Sequence, residues 1–157
     1  MDSRIGYDTD FYAWTQEQAR LLREAAQERP NTPIDWEHIA EELDIMGGQV
    51  KSAIRSHLAT VIEHLLKLEH SPDPYPRRKW RVSVTKARRH LEEALEEHPS
   101  LHRWPAESLG KAWLDGHDDA CQDDSLDIDA LPADCPYALE DVRNPDWWPA
   151  NRHGLEG

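Results

Sequence analysis

Apolar residues recur along this chain at three- and four-residue spacing, in stretches separated by prolines and by one pair of glycines. That period is helical, because residues three and four apart share one face of a helix. Phe11, Trp14, Ala19, Leu21, Leu22 and Ala25 mark a first helix to about residue 27, with Asp8 or Asp10 as its N-cap. Pro30 and Pro33 end it. Asp35 suits the cap of a second, short helix whose Trp36, Ile39, Ala40, Leu43 and Met46 share a face, and Gly47-Gly48 is expected to break it. A third helix over residues 49–69 carries the clearest stripe: Val50, Ile54, Leu58, Val61, Leu65 and Leu68. Residues 71–76 hold three prolines and make a stiff linker. Trp80, Val84, Ala87, Leu91 and Leu95 then align on a fourth helix over residues 78–97. A fifth, over residues 105–121, is weakened by Gly110 and Gly116.

Past residue 122 the pattern changes. Acids alternate with Leu126 and Ile128, and prolines follow at 132, 136, 145 and 149. Tyr137, Trp147 and Trp148 offer anchors, so this segment is expected to wrap the helices as loop and short turns. The predicted fold is all-α, one helical domain over residues 1–157. Its core, residues 7–122, is a bundle of four to five helices leaning antiparallel, with an irregular acidic, Trp-containing tail over residues 123–157 packed on it.

Composition narrows the partners. With 31 acids against 18 Lys and Arg, the net charge is −13, which opposes sequence-independent binding to nucleic acid. The charge is uneven: residues 51–100 hold ten Lys and Arg against seven acids, whereas both flanks are strongly acidic. The N-terminus shows no basic region followed by an apolar one, and no apolar run approaches the roughly 20 residues of a membrane span. Two cysteines, Cys121 and Cys135, make no disulfide framework. A cytoplasmic protein without a membrane partner is expected.

Four motifs then stand out in order: Gly6-Tyr7-Asp8-x-Asp10-Phe11-Tyr12-Ala13-Trp14; Asp35-Trp36-x-x-Ile39-Ala40-Glu41-Glu42-Leu43-x-x-Met46-Gly47; His64-Leu65-Leu66-Lys67; and Leu131-Pro132-x-x-Cys135-Pro136-Tyr137. In that order and spacing the chain resembles the small bacterial proteins grouped as domain-of-unknown-function family twenty-nine. The resemblance runs from about Tyr7 to Pro149. It implies a compact all-helical bacterial protein and no particular activity.

Chemistry-bearing residues are sparse. His57 and His64 fall at one edge of the apolar stripe, beside Val50 and Leu68. Seven residues separate them, about 10.5 Å along a helix axis, far for two ligands of one ion. They read first as partly buried histidines hydrogen-bonded to a neighbouring helix. Glu42 lies next to Ile39 and Met46, and His38 sits one turn before it. His38, Glu42 and one of His57 or His64 would make a three-ligand set with an open position, as a divalent transition metal in a catalytic site needs. A metal-binding protein or metal-dependent hydrolase is therefore the alternative reading. No nucleophile or oxyanion hole stands at recognisable spacing, so the enzyme question stays open.

Residues 77–89 hold seven cations and no acid, and residues 115–129 hold seven acids and no cation. Arg78, Arg81, Arg88 and Arg89 are the candidate polyanion contacts, with Tyr75 and Trp80 available for stacking, and a nucleic-acid-associated role is the second alternative. Mutual neutralisation of the two runs is the favoured expectation. The acidic run lacks the glycine and closing glutamate of an EF-hand. Trp14, Trp36, Trp80 and Trp113 are expected in the core, whereas Trp147 and Trp148 are candidate anchors for a partner. The leading functional reading is a helical interaction or adaptor protein, acting through a surface made by the bundle and the Trp-containing tail. Its partner would be a protein, a second copy included.

Overall fold

The computed structural model describes residues 6–157 and, among them, contains helices and no strand. In chain order these are α1 (Phe11–Glu28), α2 (Trp36–His70), α3 (Arg77–Glu97), α4 (Trp104–Ala120) and α5 (Leu139–Arg143), with single 3₁₀ turns at Pro99–Leu101 and Ile128–Ala130. No helix of the described residues is long and apolar enough to cross a membrane. The chain divides into two units by its internal contacts. One comprises the chain up to Ala53 with Ala94–Arg103, the other Ile54–Glu93 with Trp104–Gly157.

In the first unit Asp10, not Asp8, caps α1. Its extended backbone lets Oδ1 accept from Ala13 N at 2.8 Å, and its carboxylate also takes Ser100 N and Ser100 Oγ at 2.6 and 3.0 Å. Asp35 caps α2 as expected, accepting from His38 N at 3.3 Å. The expected break at Gly47-Gly48 does not occur: α2 is one helix of 35 residues. Glycine weakens a helix interior by about 1 kcal/mol without ending it. At Gly47 the missing side chain makes room for α1. A Cβ there would stand 2.7 Å from Gln16 Nε2 and 2.8 Å from Thr15 Oγ1. The face expected to be buried here is largely open. Ala40 is buried, yet Ile39, Ile45 and Met46 are exposed, as are Leu21 on α1 and Ile34.

The second unit holds the larger core. Ile54, Leu58, Val61, Ile62, Leu65, Leu66 and Leu68 of α2 are fully buried, with Val84 and Leu91 of α3 and Ala112 and Ala120 of α4. Each such large aliphatic side chain contributes about 1.5–3 kcal/mol by leaving water. Gly116 sets the approach of α4 to α2, because a Cβ there would lie 2.7 Å from the Ala59 carbonyl oxygen and 3.0 Å from Ile62 Cγ2. Gly110 faces open space.

The C-terminal segment closes the end of α2. Terminal helix carbonyls have no partner within their own helix. Here Leu68 O accepts from Arg77 Nη1 and Asn151 Nδ2, at 2.7 and 2.8 Å, and Ser71 O accepts from Asn151 Nδ2 at 2.9 Å. Glu69 O accepts from Arg152 N at 2.8 Å, and His153 Nε2 donates to His70 O at 3.0 Å. The tail is thus ordered, as the sequence suggests.

The glycine geometry yields opposite outcomes at neighbouring positions. Gly48→Ala and Gly110→Ala should each stabilise the protein by about 0.5–1 kcal/mol, since both sit in helices with open space around them. Gly116→Ala should cost about 1–3 kcal/mol, because backbone rather than a flexible side chain blocks the methyl group. Denaturant unfolding of the three variants checks the signs.

Candidate anion-binding groove

Helix α3 presents two chemically different faces. Arg77, Trp80, Val84, Ala87, Arg88 and Leu91 are buried. Arg78, Arg81, Val82, Thr85, Lys86 and Arg89 line a cavity of about 640 Å³ with Trp148 and Gly157. No Asp or Glu among the described residues lines it. Arg89 lies 3.7 Å from Glu93 Oε1, both side chains well exposed, a pair that removes little of its charge. Arg81 stacks its guanidinium 4.1 Å from the centroid of the Trp148 ring, a cation–π contact that holds the indole at the groove wall.

Arg88 is not part of this lining. The sequence places it with the polyanion contacts, but its side chain is buried, 3% exposed, and points to the tail. Nε donates to Val142 O at 2.8 Å, and Nη2 donates to Asp141 O and Trp147 O, each at 3.0 Å. Burial lowers its pKa to about 10, still charged at neutral pH. Arg77 is likewise buried, donating to Leu68 O. Helical position, not charge, separates these two from Arg78, Arg81 and Arg89.

The tail behind the groove is fixed by a buried carboxylate. Tyr137 Oη donates to Glu69 Oε1 at 3.2 Å, and Arg152 Nε donates to Oε2 at 2.9 Å. Burial first, and the Glu69 charge next, push the Tyr137 phenol well above its ordinary pKa, so it stays a donor. Trp147, half-buried, packs edge-on against Tyr137 at 5.7 Å, while Trp148, also half-buried, lines the groove. Glu69, Tyr137 and Arg152 line a second cavity of about 500 Å³ with Trp147 and Pro149. Sequence reasoning missed Glu69 and Arg152. Tyr137 carried a signal through its Cys-Pro-Tyr context.

The three candidate histidine ligands have other neighbours, and the candidate carboxylate is exposed. His38 Nδ1 meets Asp35 Oδ2 at 2.6 Å on an exposed turn, and Glu42 is exposed. His64 Nδ1 donates to Thr60 O at 2.9 Å, and His57 lies 5.5 Å from the His90 ring. No group of three or more His, Cys, Asp and Glu among the described residues is arranged to hold a metal ion. The acidic run also pairs differently from the expectation. Asp115 meets Arg55 and Lys111, and Asp123 meets Lys67, at 3.6–3.8 Å. Among the described residues no ion pair joins residues 115–129 to residues 77–89.

The family model described as Domain of unknown function DUF29 matches residues 6–148. The chain belongs to this family. No curated protein matches it. A crystal structure of an alpha-helical protein of unknown function from Rhodospirillum rubrum ATCC 11170 is similar in fold. The two chains are 20% identical with a TM-score of 0.65, over 92% of this chain and 93% of that one. The likeness concerns the helical architecture alone.

Two features of this DUF29 chain are open to direct test. Arg88→Ala leaves one buried and two half-buried carbonyls without their donor and empties a buried site, and should cost about 3 kcal/mol in unfolding free energy, while Arg78→Ala should be near neutral.

His57 titrates against folding. Burial, then the neighbouring His90, lowers its pKa below the ordinary 6.5, so the unfolded chain binds more protons. Stability should be insensitive to this group well above that value. It should fall on acidification until the folded-state pKa is passed. His57→Gln should flatten the loss of Tm between pH 7 and pH 5, the remainder coming partly from His70, which burial shifts the same way. An unchanged profile would show that His57 carries none of it.

Proposed function

We propose that the protein is a cytoplasmic helical interaction module that takes an acidic segment of a protein partner in the groove between α3 and Trp148. The observation carrying this reading is the cluster of Arg78, Arg81, Lys86 and Arg89 around one concavity with no Asp or Glu among the described residues of its lining. Such a site concentrates positive potential on a molecule whose net charge is −13. Val82, Thr85 and Trp148 provide a floor for an apolar side chain set among the acids of a peptide. The exposed Ile39, Ile45 and Met46 of α2 also suit a protein that meets other proteins.

Heparin serves as the polyanion probe. The native protein should be retained at low salt and displaced by poly-L-aspartate. Arg78→Glu with Lys86→Glu should weaken retention by about tenfold or more, the effect of about 1.4 kcal/mol, with helix content unchanged. Retention equal to that of the native protein would remove the groove from the reading.

A further inference from the structure

We infer that the occupant of the groove is the acidic turn of a second copy of this chain, residues 123–129, which rests on the groove being a site for an acidic segment. The turn is already built. Asp123 Oδ1 accepts from Ser125 N and Ser125 Oγ, at 2.9 and 2.6 Å, and Asp127 Oδ1 accepts from Asp129 N at 3.2 Å. Leu126 is buried and Ser125 Oγ meets Ser71 Oγ at 2.8 Å, so the segment is pinned to its own fold. A pinned segment loses little conformational freedom on docking.

What the turn exposes complements what the groove exposes. Asp124, Asp127 and Asp129 are exposed, and Ile128, 53% exposed, stands among them at the start of a 3₁₀ turn. The groove sets Val82 and Trp148 among Arg78, Arg81, Lys86 and Arg89. An apolar knob ringed by acids thus meets an apolar floor ringed by cations. Neither run neutralises the other within one chain, so both remain available between chains. Because each copy carries a net charge of −13, the contact works against overall repulsion and gains from a local match. It is therefore salt-sensitive and concentration-dependent.

Sedimentation velocity over a range of protein concentrations at low salt tests this on the full chain. The native protein should associate as its concentration rises. Arg78→Glu with Lys86→Glu should remain monomeric, and so should Asp124→Lys with Asp129→Lys. Mixing the two variants should restore a complex, since one supplies an intact turn and the other an intact groove. Circular dichroism of each variant confirms that its helices are formed, and Ile128→Ser, which leaves every charge in place, should weaken association independently. A monomeric native protein, association that either variant leaves unchanged, or a mixture that stays monomeric overturns the self-docking inference. If heparin retention and poly-L-aspartate displacement persist in that case, the groove still takes acidic segments and the occupant is a different protein. If those are absent too, both readings fall.

Discussion

A buried guanidinium without a carboxylate partner organises the C-terminal segment of this molecule. Arg88 lies on the apolar face of α3, and its donors reach Asp141 O, Val142 O and Trp147 O of the tail. Helix α5, five residues long, is far too short to form alone, and its last-turn carbonyls carry the negative end of its dipole. A fixed positive charge at that end offsets the cost of nucleating the turn. It also sets the backbone at Trp147, and hence the place of Trp148 beside Arg81. The groove exists because a cation behind it is held by the tail and cations in front are left to solvent.

The rest of the tail is attached by the same kind of chemistry. Past Cys121 the buried apolar residues are Leu126, Tyr137 and Val142, a small core for so long a segment. Polar attachment does the remainder. Asn151, Arg152 and His153 satisfy the carbonyl end of α2, while Glu69 takes Tyr137 and Arg152 on its two oxygens. These bonds are directional, so they fix one arrangement where apolar contact alone would accept several. A preformed turn at residues 123–129 follows from that same anchoring through Ser71 and Ser125.

Much of the helical plan was legible. The observed bounds of α3 and α4 lie within one residue of those read from periodicity, and Asp10 and Asp35 cap as their chemistry suggests. The stripe from Ile54 to Leu68 is the buried core of its unit. Gly47-Gly48 misled because glycine serves both helix termination and close packing, and only the position of Thr15 and Gln16 shows which applies. Arg88 misled because charge was read along the chain rather than around the helix. Its position four residues after Val84 and three before Leu91 put it on the buried stripe, so the signal was present. Nothing local marks Glu69, Asn151 or Arg152, whose partners lie more than 60 residues away in sequence.

By itself, then, the sequence determined the class of the fold, most of the helix boundaries and the opposed charge of two segments, because these depend on period and composition within one stretch of chain. Tertiary structure decided which cations are structural and which line a groove, which tryptophan lines that groove, and that the acidic and basic runs stay apart within one chain. Those outcomes depend on burial and on long-range hydrogen bonds. Such properties belong to pairs of distant residues and leave no mark on the local pattern.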